Sequence, residues 1–430
     1  MITKVHARRN TPTNDLFVAF DVGKANLDLY YEIPHESGAT FEATAGQIPN
    51  KPRDIIALLD RLAQVAYNGG YESLLIICES TGVYSNKLLS LAKQKGHKTA
   101  YVSGESVHKL KVLENNDSGK TDTKDPRVIL MIAKMDKTLK YRPLEDHYAI
   151  LRELNGAYKE ERDQMTSIKG QCHPLLSRMF CALDFSAQFL YETTGNALFK
   201  LYRYNPKRIV EQGQTRFLKA MKKEASGVRN ETLQKLWDNA VTSCLLVQND
   251  GILEAMEYRL EGLWERLMHV SRRLGEIDAK MSAIYEQLVE LKEKVPQASS
   301  GFLSPFRIAR ILGETGPLSD FPNIESLTKF AGLNLKERKS GQFTGGVHLS
   351  KKGRSGLRDI LGQTVFGMVK KGRVFGEYYH RKKDEGMIGT KILVAVERKL
   401  LETVYTMATK CVAFDLNRLN HCESQLAKAA

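Results

Sequence analysis

Four apolar or small residues, Phe17, Val18, Ala19 and Phe20, run straight into Asp21, and a Gly23-Lys24 turn follows. After it, Leu27-Asp28-Leu29-Tyr30 alternates apolar and polar with period two. The pattern predicts two adjacent antiparallel strands that hold the Asp21 carboxylate at a fixed place on a sheet. Phe41 to Ala45 fits a third strand. Asp54 to Ala66 places Ile55, Ile56, Leu58, Leu59, Leu62 and Ala63 at the spacing of a helix packed on a sheet. Leu74 to Cys78 is a continuous apolar run of the kind buried parallel strands show, and it ends on Glu79. A helix over Tyr84 to Lys95 and a short strand over Thr99 to Val102 continue an α/β layer.

From Leu151 the period changes to that of long helices. Between Leu253 and Val295 apolar residues recur in alternating steps of three and four, through Leu260, Leu267, Leu274, Met281 and Leu288. This is a sustained heptad and predicts a coiled coil. Leu151, Leu154, Tyr158, Met165 and Ile168 form a weaker stripe that fits an antiparallel partner arm, and a heptad stripe this long predicts at least a dimer. Residues from about 184 to 250 form a mixed, basic insertion whose fold the pattern does not reveal. Pro296 to Ser304 breaks the coil. The expected organisation is therefore an α/β domain over 1–146, arms over 147–296 and a mainly helical domain over 297–430.

A length of 430 residues suits two or three domains, each with its own core. The net charge of +14 changes the functional picture, because it favours a polyanionic partner, nucleic acid foremost, over an acidic small molecule. No apolar run approaches the roughly 20 residues of a membrane span, and MITKVHARRN lacks the apolar centre of a signal peptide, so a cytoplasmic protein is expected. The six cysteines form no CxxC pair and read as reduced, packed thiols.

Two stretches carry candidate chemistry. The first is acidic: Asp21 beside the first strand, Glu79 at the end of the buried strand, and Asp122 with Asp125 in GKTDTKDPRVILMIAK, where a shared first helical turn puts both on one face. Four converging carboxylates repel one another unless cations neutralise them, and hard oxygen ligands suit Mg²⁺. Two such ions about 4 Å apart would clamp a phosphodiester. The bland readings are that Asp21 stabilises its turn, that Glu79 caps the next helix, and that Asp125, before Pro126, is an N-cap. The second stretch runs from Ala331 to Leu361. It is glycine-rich and carries Lys336, Arg338, Lys339, Lys351, Lys352, Arg354 and Arg358 against the lone acid Glu337 within 336–358. Ser340 stands amid these candidate nucleic-acid contacts. No His–Asp pattern accompanies it, so either it attacks a phosphate with help from positive charge and a metal, or it only donates a hydrogen bond to one.

The order Asp21, Glu79, Asp122, Asp125, then a coiled coil, then AGL…SG with a basic glycine loop resembles the DEDD-type insertion-sequence transposases. That family includes the Piv-type invertases, and several members are guided by a structured bridge RNA. GETGPLSDF (Gly313 to Phe321), SKKGRSGLRDIL (Ser350 to Leu361) and KILVAVERKLL (Lys391 to Leu401) extend the likeness over nearly the whole chain. The resemblance implies an RNase H/RuvC-like N-terminal domain, coiled-coil arms and a helical transposase domain. It also implies that the four acids hold Mg²⁺ and that Ser340 is the nucleophile, acting through a phosphoserine link to donor and target DNA. A bridge RNA and a dimer or tetramer, in which one subunit's acids complete another's serine site, are the implied partners. A metal-dependent RNase H-like nuclease or junction resolvase without a covalent step is the alternative. A sugar or acetate kinase, opening on a similar hairpin, and a non-catalytic nucleic-acid scaffold are further rivals.

Overall fold

The computed structural model describes residues 14–34, 41–80, 84–115, 124–144, 146–246, 249–336, 339–340, 343–344 and 348–415. The chain divides into two units, Met1–Pro143 and Leu144–Ala430; the expected boundary near 297 falls inside the second.

The first unit is built on one mixed sheet. Strands β1 (Asp15–Val22), β2 (Asn26–Pro34) and β3 (Phe41–Pro49) form an antiparallel meander, β4 (Ser73–Glu79) and β5 (Lys98–Val102) add parallel to β1, and β6 (Leu139–Lys140) closes the edge, in the order β3-β2-β1-β4-β5-β6. Helix α1 (Pro52–Asn68) leads into β4, and α2 (Ser85–Gln94) leads into β5. Helices α3 (Gly104–Asn115) and α4 (Lys124–Lys134) follow β5. Strand periodicity sends alternate side chains to opposite faces. Val18, Phe20, Ile76 and Cys78 pack with Ile55, Leu59, Leu88 and Leu89 of α1 and α2, whereas Ala19 and Ile77 pack with Val128, Ile129 and Ile132 of α4. The expected opening hairpin, third strand, first helix and buried strand are all present. Burial pushes the thiol of fully enclosed Cys78 up to about 12, which leaves it an inert packing group.

The second unit is helical apart from short hairpins. Helices α5 (Asp146–Met179) and α10 (Asp250–Glu290) bracket four inserted helices: α6 (Thr193–Tyr202), α7 (Pro206–Gln212), α8 (Gln214–Glu224) and α9 (Asn230–Cys244). Beyond them come α11 (Pro305–Thr315), α12 (Ile324–Ala331), the short strands β7 (Leu335–Lys336), β8 (Lys339–Ser340), β9 (Phe343–Thr344) and β10 (His348–Leu349), then α13 (Ser355–Met368), α14 (Gly376–Asp384) and α15 (Gly389–Lys410).

Helices α5 and α10 run antiparallel, as the two stripes predict. The start of α5 (Tyr148, Leu151) shares a core with the end of α10 (Met281, Tyr285, Leu288), and the end of α5 (Cys172, Leu176) shares one with the start of α10 (Leu260, Leu263). Helix α5 is the main partner of α10, with α11 next, but the seam is not closed by two helices alone. Leu198, Ile209, Phe217, Leu233 and Leu236 of the insertion share the core of its first half, and residues of α11, α13 and α15 share that of its second. The helix also stops at Glu290, so Leu291 is 61% exposed and the last part of the expected stripe is not helical. The apolar surface that led to the expectation of a dimer is thus buried within the chain itself. Trp264, beside the stripe, stacks on Phe199 with ring centroids 4.2 Å apart, a contact that locks the insertion onto α10.

Candidate active site

The alternation along β1 and β4 explains how the acids converge. Phe17 and Ala19 of β1, and Leu75 and Ile77 of β4, belong to the face covered by α4. Asp21 and Glu79 are the next members of those two rows. The strands are parallel with Phe20 opposite Cys78, so the following residues, Asp21 and Glu79, lie side by side toward the carboxyl edge of the sheet, where α/β sheets form sites. Asp125 is the second residue of α4, the helix on that same face.

Electrostatics shows that the three carboxylates feel one another. The Asp21 carboxyl is held above its ordinary value first by burial and then by the charge of Asp125, with Asp28 adding to the effect; the Val22 backbone and Lys111 oppose it. Glu79 is raised by burial and then by Asp21, and Lys111 again opposes. Lys111 of α3 forms an ion pair with Asp125, so that carboxylate, in the first turn of α4, is engaged by a cation from the preceding helix. Glu79 also presses on α3: a Cβ at Gly104 would overlap its Oε1, so only glycine leaves that carboxylate its place.

Asp28 and Lys111 are the participants that sequence reading missed. Asp28 is paired across the hairpin with Asp21 and accepts a hydrogen bond from Gln47 Nε2 at 2.8 Å. Its place in the Leu27-Asp28-Leu29 alternation was the available signal. Nothing local in the sequence marks Lys111.

Asp122 lies outside the described residues. Among those described, no three acids come together closely enough to enclose a metal ion as placed. The donor set nevertheless fits a divalent cation, because Asp21, Glu79 and Asp125 are hard oxygen ligands whose mutual repulsion a cation would relieve.

The serine segment is anchored by a crossed neck. β7 pairs with β10, Lys336 opposite His348, and below them Ser350 N donates to Asn334 O (2.8 Å), Lys351 N to Gly332 O (3.0 Å) and Arg354 N to Phe330 O (2.7 Å). A Cβ on Gly353 would meet the backbone of Phe330 and Gly332, and Gly332 itself has φ +70°, so the crossing requires both glycines. Beyond the neck, β8 and β9 pair with Ser340 opposite Phe343, so the Ser340 backbone belongs to a β-hairpin. Arg338 lies outside the described residues. Lys336, Lys351 and Lys352 are exposed. Two of the expected nucleic-acid contacts also serve the fold: Arg358 Nη1 donates to Ala331 O at 2.8 Å, and Arg354 Nε donates to Glu314.

Two family models match this chain. One, described as a transposase and built on the DEDD proteins of IS110 elements, matches residues 18–181 and so contains Asp21, Glu79, Asp122 and Asp125. The other, described as transposase IS116/IS110/IS902 family, matches residues 303–380 and contains Ser340. The chain belongs to the IS110/IS116/IS902 family of DEDD-type insertion-sequence transposases. Its members are enzymes that cut and rejoin DNA. The transposase is 20% identical over 405 residues to the insertion element IS116 uncharacterized 44.8 kDa protein of Streptomyces clavuligerus, covering 93% of this chain and 96% of that one. It is 22% identical over 362 residues to the insertion element IS900 uncharacterized 42 kDa protein of Mycobacterium paratuberculosis, covering 82% and 87%. Among solved structures, Thermus thermophilus RuvC aligns over 29% of the transposase and 99% of its own chain, at 13% identity and a TM-score of 0.21. No helix among the described residues is long and apolar enough to cross a membrane.

Proposed function

We propose that this transposase exchanges DNA strands through a covalent serine link, with Asp21, Glu79, Asp122 and Asp125 holding Mg²⁺ and Ser340 as the nucleophile. The observation that supports the acidic half is that Asp21 and Glu79 lie at one sheet edge beside Asp125, each held above its ordinary value first by burial and then by a neighbouring carboxylate, a repulsion that a cation would relieve. A divalent cation bound there supplies stabilisation of the charge that builds on the phosphoryl oxygens. The protein's own groups do the rest. In the first step the Ser340 Oγ–P bond forms as the bond from phosphorus to the departing deoxyribose oxygen breaks; the serine proton passes to a base and the departing oxygen takes one up. Attack by a hydroxyl of the incoming strand breaks the Oγ–P bond and restores the serine. Lys336, Lys351 and Lys352, exposed around the neck, hold the phosphate backbone.

The family resemblance supports two further parts of the proposal: guidance by a structured bridge RNA, and an oligomer in which the acids of one copy serve the serine of another. Sequencing of RNA that co-purifies with the protein tests the first, and light scattering tests the second. The covalent step is tested on a denaturing gel with labelled DNA. A protease-sensitive shifted band that vanishes in Ser340→Ala supports the serine link. Cleavage retained in Ser340→Ala, with free ends and no shifted band, supports the metal-nuclease alternative instead.

A further inference from the structure

The insertion between α5 and α10 carries ten basic side chains, and the structure divides them into two sets. Lys200, Arg203, Lys207, Arg208 and Lys235 are paired with Glu224, Glu261, Asp250, Glu257 and Asp184. Arg216, Lys219, Lys222, Lys223 and Arg229 are exposed and engage no acid among the described residues. Four of these five lie on α8.

Their placement on that helix is one-sided. Phe217 and Met221 are fully buried and define the inner face of α8. With about 100° between successive residues, Arg216, Lys219, Lys222 and Lys223 fall on the opposite face, with Arg216, Lys219 and Lys223 in the i, i+3, i+7 row. Glu224, the only acid on the helix, is already held by Lys200.

Two ordinary explanations fail. A solvated helix face usually mixes signs so that charges pair along it, whereas this face carries one sign, and the insertion's other basic residues are all paired with acids on neighbouring elements. Complementing the helix dipole accounts for Lys222 and Lys223 in the last turn, but Arg216 lies in the first turn, where a cation is disfavoured.

We infer that the outer face of α8 is a docking surface for the backbone of duplex DNA. The row from Arg216 to Lys223 rises about 10 Å along the helix, roughly three base-pair steps. The partner is DNA because this enzyme cuts and rejoins it, and a single-sign row of exposed side chains without an aromatic among them suits phosphates rather than exposed bases. This surface uses none of the residues proposed for the chemistry, and its test does not depend on Ser340.

The experiment uses the full-length protein carrying Ser340→Ala, without Mg²⁺, and a fluorescein-labelled 30-base-pair duplex in anisotropy titrations over a salt series. Arg216→Gln, Lys219→Gln, Lys222→Gln and Lys223→Gln combined should keep the circular dichroism melt of the parent and make the slope of log K against log salt shallower by about three to four, at about 0.9 per phosphate. The matched control, Arg259→Gln, Arg266→Gln, Lys280→Gln and Lys294→Gln, removes four exposed charges from elsewhere. An unchanged slope, or an equal change in the control, overturns the inference. So does a loss confined to a structured RNA hairpin probe while duplex binding stays intact.

Discussion

Arg354 Nε donates to Oε2 of Glu314 at 2.6 Å, joining the residue just before α13 to the end of α11. Glu314 is almost buried, Gly356 packs directly against its carboxylate, and Arg152 holds the adjacent backbone through Gly313 O and Glu314 O. The pair thereby fixes the lower end of the neck that carries the serine hairpin. Glu314→Gln should lower stability by about 1–3 kcal/mol, the worth of a charge-assisted bond partly open to water. It should also lower covalent-adduct yield at temperatures where the protein remains folded. Chemical denaturation and the adduct gel, run on the same preparations, check both.

Gly104 offers a cleaner probe of the acidic site. Its φ is not in the left-handed region, so alanine is compatible with the backbone, but the added Cβ must displace Glu79. Gly104→Ala should reduce strand cleavage about 100-fold, the scale of a misplaced catalytic group, with little change in melting temperature. A variant as active as the parent would show that the Glu79 carboxylate need not stay where it lies.

Asp21→Asn should separate stability from activity. The folded-state elevation of Asp21 and Glu79 means that their ionised forms are unfavourable in the folded protein without a cation. The contribution of these two groups to folded stability is therefore fully present below the ordinary carboxylate range and is lost as pH rises through the elevated values. The substitution removes one member of the repelling set, so metal-free Asp21→Asn should melt higher than the parent at neutral pH while cleavage is lost. Mg²⁺ should raise the parent's melting temperature and leave that of the variant nearly unchanged.

Glu397 gives a pH signature in the second unit. Burial raises its carboxyl from 4.5 to about 7, although Arg358 opposes the shift. Between those values the unfolded chain ionises first, so the second unit loses stability as pH rises from about 4.5 to 7. Glu397→Gln should flatten that dependence, as read from urea midpoints at pH 5 and pH 8.

The α/β half of the fold was legible because its signals are local. Phe17 to Tyr31 carries its own period and contains Asp21, and Leu74 to Cys78 is an apolar run that leads into Glu79. The insertion was opaque for the opposite reason. Phe217, Leu233 and Leu236 are separated by short, differently oriented helices and find their partners on Leu253 to Val270, so no single window shows what they cover. The stripe on α10 shows the complementary limit: its period reveals that a face is buried but not what buries it. At the site, parity along β1 and β4 was enough to bring Asp21 to Glu79, whereas Lys111 reaches Asp125 only through the way α3 packs on α4. The structural pairing of Arg354 was likewise hidden, since Glu314 is 40 residues away in sequence.

The division of α5 and α10 between two cores also limits how this protein can be shortened. Each helix enters both cores, so trimming the chain back to a smaller transposase cannot be done by excising residues 184–250 alone. Leu253, Leu260, Leu263 and Val270, with Cys172 and Leu176, would lose the insertion's share of their common core and keep only each other as cover. Any viable shorter relative must lose the far halves of both helices at the same time, or acquire another surface to cover them.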